Sequence, residues 1–230
     1  MPEIKIIGAG LAGSEAALYL ADKGWKVKLY EMRPAKMTPA HQTGYPAELV
    51  CSNSLKSTLL DTPAGLLKEE LHLLGSKLLP VAESCAVSAG HSLAVDRNLF
   101  AQKINDEIIH HPNIEFIPEE ITTLPTELSI LATGPLTSDN LIQELQSVVG
   151  SAHLYFYDAI APIVSADSLN MDKIYLKDRY DKGEPDYLNC PFTEEEYYHF
   201  VEALLAGEKH KPHSFENEMT EAKLKFYENC

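Results

Sequence analysis

The chain has 230 residues, 45% hydrophobic and 23% charged, an ordinary globular composition sized for one large domain or two small ones. Net charge is −15, with residues 1–60 carrying +2 and the remainder −17, a poor match to a protein that holds nucleic acid by charge alone. No apolar run approaches the roughly 18–20 residues of a membrane span, and Cys51, Cys85, Cys190 and Cys230, without a CxxC pair, suggest neither zinc nor a disulfide framework.

The first strand is expected within a few residues of Met1, which argues against a signal peptide and for a cytoplasmic protein. That strand, Ile4-Lys5-Ile6-Ile7, runs into Gly8-Ala9-Gly10-Leu11-Ala12-Gly13, and this loop opens a helix. In a dinucleotide-binding βαβ unit the first glycine allows the tight turn. The second lets the backbone approach a pyrophosphate, and the third lets helix and strand pack closely. The N–H groups and dipole at the helix start then face the phosphates. Small Ala17 suits the same packing, Gly24 ends the helix, and Val27-Lys28-Leu29-Tyr30 reads as the second strand. Glu31 follows about twenty residues after the loop, where an acid accepts hydrogen bonds from a ribose. Its charge would repel a 2′-phosphate, which argues against NADP here and leaves NAD and FAD open. The same glycines could serve a βαβ unit that binds nothing, but strand, loop, helix, second strand and acid all agree on a ligand. The candidate cofactor-binding residues are Gly8, Ala9, Gly10, Leu11, Ala12, Gly13, Glu31 and Arg33. For Arg33 the alternatives are a contact to the cofactor's phosphate or adenine end and a surface salt bridge.

A polar loop with Pro39, His41 and Pro46 comes next, and His41 is either near the site or simply solvated. Ser52, Asn53 and Ser54 are all N-cap residues, so a helix is expected to begin there, directly after Cys51. Leucines at helical spacing predict a helix over Pro63–Leu74, with Gly75 as its cap. Leu93-Ala94-Val95 reads as a strand, Asp96 as the cap of a helix over Arg97–His110, and Ile114–Ile117 as a strand. Residues 128–135 read as a central strand ending in a glycine turn, and 138–148 as a helix. A second, smaller α+β domain on the substrate side is expected from residue 152, after a Rossmann-type domain over 1–151. Within it, Thr193 and Glu196 form a capping box for a helix to about Ala206. Tyr197, Tyr198 and Phe200 on that helix are expected to be packed, and Glu194, Glu195 and Glu196 to be a solvated helix start with no metal.

Several stretches together resemble the folate- and FAD-dependent tRNA (uracil-5-)-methyltransferase family, also called TrmFO or Gid. They are the glycine loop with Glu15-Ala16-Ala17, Tyr30-Glu31-Met32-Arg33-Pro34, Thr38-Pro39-Ala40-His41, and Glu48-Leu49-Val50-Cys51-Ser52-Asn53-Ser54-Leu55. Leu93-Ala94-Val95-Asp96-Arg97, Ala132-Thr133-Gly134-Pro135-Leu136-Thr137-Ser138 and Asp186-Tyr187-Leu188-Asn189-Cys190-Pro191 continue the match. The chain is similar to an N-terminal portion of that family, whose members are close to twice as long. Gly90-His91-Ser92 departs from the family's pattern, and so does the context of Cys230.

The resemblance implies FAD, methylenetetrahydrofolate as one-carbon donor, NADH or NADPH as reductant, and a T-loop uridine of tRNA as substrate. It also implies two functional cysteines, matched here by Cys51 and Cys230. Uracil C5 is a poor nucleophile until a group adds to C6, and a thiolate suits that task. A helix start after Cys51 would lower its thiol pKa. Cys85 and Cys190 are expected to be structural thiols. Two other outcomes remain: a truncated FAD-binding fragment without activity, and the sister flavin and folate enzyme that modifies the wobble uridine.

Overall fold

The predicted first strand is β1, Glu3–Ile7, and a computed structural model of the chain, which describes residues 1–50, 52–149, 164–177 and 187–207, builds a parallel sheet around it. β2 (Lys26–Tyr30) pairs on one side of β1 with Ile6 opposite Leu29, and β6 (Ile114–Ile117) pairs beyond it. β7 (Ser129–Leu131) pairs on the other side, giving the order β6-β2-β1-β7. Residues 128–135 are thus a strand beside β1 as expected, but at the sheet's edge among the described residues.

Ile4 and Ile6 are buried in the core that the helices share with the sheet, Ile7 is buried as well, and Lys5 between them is half-buried. α1 (Leu11–Asp22) buries Gly13, Ser14, Ala17, Leu18 and Ala21. α4 (Arg97–His110) is capped by Asp96, whose side chain accepts from the N–H groups of Asn98 and Leu99, both at 3.0 Å. Its Phe100, Ile104 and Ile108 join the same core.

Acids on α1 tie in the following elements. Glu15 accepts hydrogen bonds from Ser76 Oγ at 2.9 Å, Lys77 N at 2.7 Å and Leu78 N at 2.9 Å, capping α3 (Leu78–Ser84) from a distant part of the chain. Asp22 pairs with Lys77 and, at 3.1 Å, with His111. α2 (Pro63–Leu74) forms as predicted, with Thr62 at its N-cap and Gly75 left-handed at its end. Its leucines, however, face solvent: Leu66, Leu67, Leu73 and Leu74 are all more than half exposed, and Gly65 is its one buried residue.

The helix expected at Ser52–Ser54 is instead strand β3, Ser54–Ser57, in an antiparallel sheet with β5 (Ser92–Val95) and β4 (Ala86–Val87). Two interactions decide this. Asn53 is stitched to Val95 through both its carbonyl, at 2.9 Å, and its side-chain amide, at 3.1 Å. The serines, meanwhile, spend their hydroxyls on the N–H two residues ahead, Ser52 on Ser54, Ser54 on Lys56 and Ser57 on Leu59, an arrangement compatible with extended chain.

α5 (Asp139–Val149) follows a short 3-10 turn at Gly134–Leu136 and buries Leu141. The chain divides into two compact units, Met1–Pro162 and Ile163–Cys230. The domain boundary expected at residue 151 lies outside the described residues. In the second unit β8 (Tyr175–Leu176) pairs antiparallel with β9 (Leu188–Asn189). α6 (Glu194–Ala206) opens on the predicted capping box, with Thr193 and Glu196 satisfying each other's N–H groups. Phe200 stacks on Phe192 with ring centroids 5.3 Å apart. Tyr197 and Tyr198 are not packed as expected but more than half exposed. No described helix is long and apolar enough to cross a membrane.

Candidate cofactor site

At β1 the strand order reverses, since β2 and β6 lie on one side and the much later β7 on the other. In doubly wound sheets ligands bind outside the carboxyl ends of the strands at such a point. A cavity of about 480 Å³ lies there, within the range of small-molecule sites. It is lined by the glycine turn, residues 30–33 at the end of β2, residues 48–50 and 52, part of β3, and residues 132–138 after β7.

Gly8 and Gly13 do the steric work that the sequence suggests. Gly8 has φ +94°, and a Cβ there would come within 2.7 Å of the Ala132 carbonyl oxygen. A Cβ on Gly13 would lie 1.8 Å from the Gly8 carbonyl oxygen, so the helix can approach the turn only without one. At Gly10 a Cβ would meet nothing within 4 Å. The described residues therefore make no steric demand for glycine at position 10, which opens onto the cavity. α1 starts at this residue with no side-chain cap, and the N–H groups of Leu11, Ala12 and Gly13 have no partner among the described residues. Unpaired donors, a positive dipole end and a space cleared of Cβ fit a phosphate.

The turn is pinned on three sides. Gly8 N donates to the Tyr30 carbonyl at 2.8 Å and Ala9 N to Glu31 Oε2 at 2.9 Å, while Ala47 N donates to the Ala9 carbonyl at 2.8 Å. Glu31 does stand at the end of β2, but it is buried and also engaged by Arg33, through Nε at 2.9 Å and the backbone N–H at 3.2 Å. Oε1 takes both Arg33 bonds, while Oε2 accepts only from Ala9 N and keeps acceptor capacity for a ribose hydroxyl. Burial alone would push the Glu31 carboxyl up. The Arg33 hydrogen bond and charge, with the Ala9 and Arg33 N–H groups, outweigh it and hold the pKa below the ordinary 4.5.

Arg33 does not form a surface salt bridge, although it lines the cavity. Its side chain is 2% exposed, and its guanidinium also meets Glu48 at 3.1 Å and the Thr43 carbonyl at 3.3 Å. Glu48 in turn accepts from Gln42 N at 2.8 Å, Thr43 N at 3.0 Å and Thr43 Oγ1 at 2.7 Å. A buried Glu31–Arg33–Glu48 triad thus fastens the loop after β2 to the glycine turn. Sequence reasoning passed over Glu48 as a site residue. Its signal was an acid set between apolar Ala47 and Leu49. His41 lines the cavity and is hydrogen-bonded through Nδ1 to Thr38 Oγ1 at 2.6 Å.

Cys51 and Cys230 lie outside the described residues. Val50 and Ser52, which flank Cys51 in sequence, both line the cavity. Strand β3, in place of the expected helix, follows Ser52 and Asn53. Cys85 is buried as expected, and Cys190 is an exposed free thiol. Among the described residues no cluster of His, Cys, Asp or Glu could hold a metal ion.

The family described as Glucose inhibited division protein A matches residues 3–228. The chain belongs to this GidA family. It is 54% identical over 227 residues to a Bacillus subtilis protein, 52% over 228 residues to one from Anoxybacillus flavithermus, and 52% over 229 residues to one from Halalkalibacterium halodurans. All three are named methylenetetrahydrofolate–tRNA-(uracil-5-)-methyltransferase TrmFO. The matches take in 99–100% of this chain and 51% of each relative, so the chain spans about half the length of the curated relatives it matches. A solved Aquifex aeolicus GidA chain overlays 54% of this chain and 21% of its own length, at 15% identity and a TM-score of 0.44. For this GidA-family chain, the residues lining the β1–β7 crevice fit the ADP half of FAD. Gly10 and the start of α1 suit its diphosphate, and Glu31 suits its ribose.

Proposed function

We propose that this chain is the cofactor-binding portion of a flavoenzyme that methylates C5 of a T-loop uridine in tRNA, with methylenetetrahydrofolate as one-carbon donor. The observation that carries the reading is the β1–β7 cavity, cleared at Gly10 and flanked by Val50 and Ser52, in a chain at least half identical to relatives named for this reaction. In this reading the N–H groups of residues 11–13 bind the diphosphate and Glu31 accepts a ribose hydroxyl. Arg33 keeps Glu31 ionised and anchors the loop that leads to Cys51. Bound FAD, reduced by NADH or NADPH, supplies the two electrons that take the donated methylene carbon to the methyl level. Cys51 and Cys230 share the remaining work: a thiolate adds to uracil C6, making C5 nucleophilic. After carbon transfer the C5 proton leaves, and the C6–S bond breaks to return the thiolate. Residues 152–230 supply a substrate-side domain, and the location is the cytoplasm, where tRNA is modified.

The half-length span of the relatives favours a second reading, a cofactor-binding fragment without catalysis. One experiment separates the two. The purified chain is examined for flavin absorbance and then incubated with T-loop RNA carrying 5-fluorouridine, alongside Cys51→Ser and Cys230→Ser. Bound FAD with a covalent adduct that disappears in Cys51→Ser supports the enzyme. Bound FAD without an adduct identifies the fragment, and a colourless chain that takes up no FAD overturns the cofactor reading. An adduct with a wobble-position RNA in place of the T loop would assign the sister reaction.

A further inference from the structure

Lys56 combines features that the fold does not require. Ser54 pairs with Ala94 and Ser57 with Ser92, so β3 carries one more residue than β5 between these pairs. Such a bulge re-aims a side chain. Lys56 sits in it with φ +66°, a left-handed conformation that costs a residue bearing a Cβ. A bulge alone would be served at lower cost by Gly or Asn.

Lys56 lines the cofactor cavity. The other strong cation in the lining, Arg33, is spent on Glu31 and Glu48. Lys56 has no hydrogen bond or ion pair from its ammonium among the described residues. Its charge is also felt by a second lysine, Lys68. Lys68 donates to the Ser57 carbonyl at 2.9 Å and the Ala64 carbonyl at 3.1 Å, and burial together with the charge on Lys56 pushes its pKa down. A strained cation in the cavity lining, unpaired among the described residues, is explained by an anion that arrives with a ligand.

We propose that Lys56 is an anion-binding residue of the cofactor cavity, its ammonium meeting an anionic oxygen of the bound dinucleotide. This rests on the dinucleotide reading of the β1–β7 crevice. The oxygen belongs either to the diphosphate or to the reduced, anionic isoalloxazine ring.

The test compares the chain with Lys56→Arg, Lys56→Asn and Lys56→Gly. The last two are neutral residues that tolerate the left-handed backbone, so folding is preserved. Dissociation constants for ADP and for oxidised and reduced FAD are measured across a salt series. Loss of the charge is expected to weaken FAD binding about tenfold, with Lys56→Arg within about threefold of the parent. The salt dependence should flatten in the neutral variants. ADP weakening in step with FAD places the contact on the diphosphate; unchanged ADP with selective loss of reduced FAD places it on the ring. Neutral variants that bind FAD in both redox states, and ADP, as tightly as the parent at every salt concentration overturn the proposal while the dinucleotide reading stands. A parent chain that binds neither ligand overturns both.

Discussion

Replacing Arg33 by Met would remove the one cation shared by two buried carboxylates. The guanidinium is 2.9 Å from Glu31 and 3.1 Å from Glu48, whose side chains are 7% and 9% exposed. Removing one partner of such a pair costs about 3–5 kcal/mol, a large share of a typical domain's roughly 5–15 kcal/mol. The cost should depend on pH in a defined direction. In the parent, the Glu31 pKa is held below its ordinary 4.5, so the ionised group stabilises the fold above that pH, and the contribution fades as pH falls through the folded value. Without Arg33, burial dominates and the Glu31 pKa rises. The penalty is then full at neutral pH and relieved as Glu31 takes up a proton. Urea unfolding followed through Trp25, the chain's single tryptophan, at pH 7 and pH 5 reads both effects. The variant should be less stable than the parent at pH 7, with the gap narrowing at pH 5. Adding Glu48→Gln should restore part of the loss. Equal stability of variant and parent at pH 7, or a gap that does not change with pH, would refute this account of the triad.

Gly13→Ala should destabilise the chain by about 3 kcal/mol or more, because the new Cβ would meet the Gly8 carbonyl. Gly10→Ala should cost no more than about 1 kcal/mol, the N-cap difference between Gly and Ala, yet weaken FAD binding; thermal melts and flavin titrations of the two variants give the comparison. Glu15→Ala removes the acceptor for three donors at the start of α3 and should cost about 1–3 kcal/mol by urea unfolding. Leu73→Lys, at a position 81% exposed, should leave the unfolding midpoint within about 0.5 kcal/mol of the parent. Lower light scattering at high concentration would accompany it, and a marked loss of stability would mean the leucine face of α2 is covered.

The sequence was most informative where local chemistry and tertiary need coincide. β1, the glycine turn, α1 and β2 are set by short-range steric rules, and Asp96 and Thr193 cap helices whatever surrounds them. Residues 52–54 went the other way because a distant partner, Val95, outweighed a local capping preference. The leucines of α2 carry helical periodicity, which fixes the helix but not what covers it. Arg33 was legible as a site residue but not as a buried one, since its partner Glu48 lies across a loop whose path no local rule predicts. Lys56 was invisible for a related reason: its bulge depends on pairing with β5.

The placement of β7 beside β1 also sets a sequence of events during synthesis. The turn at residues 8–13 leaves the ribosome early, but the strand that closes its other flank begins only at Ser129. At about 5–20 residues per second, the gap between them is on the order of ten seconds. Until then Ile6 and Ile7 have no neighbour on that side, and no crevice exists for a nucleotide to enter. A ligand can therefore stabilise the chain only after Leu131 has been made. For that interval the nascent protein depends on β2, β6 and the helices alone to keep its most apolar strand out of water.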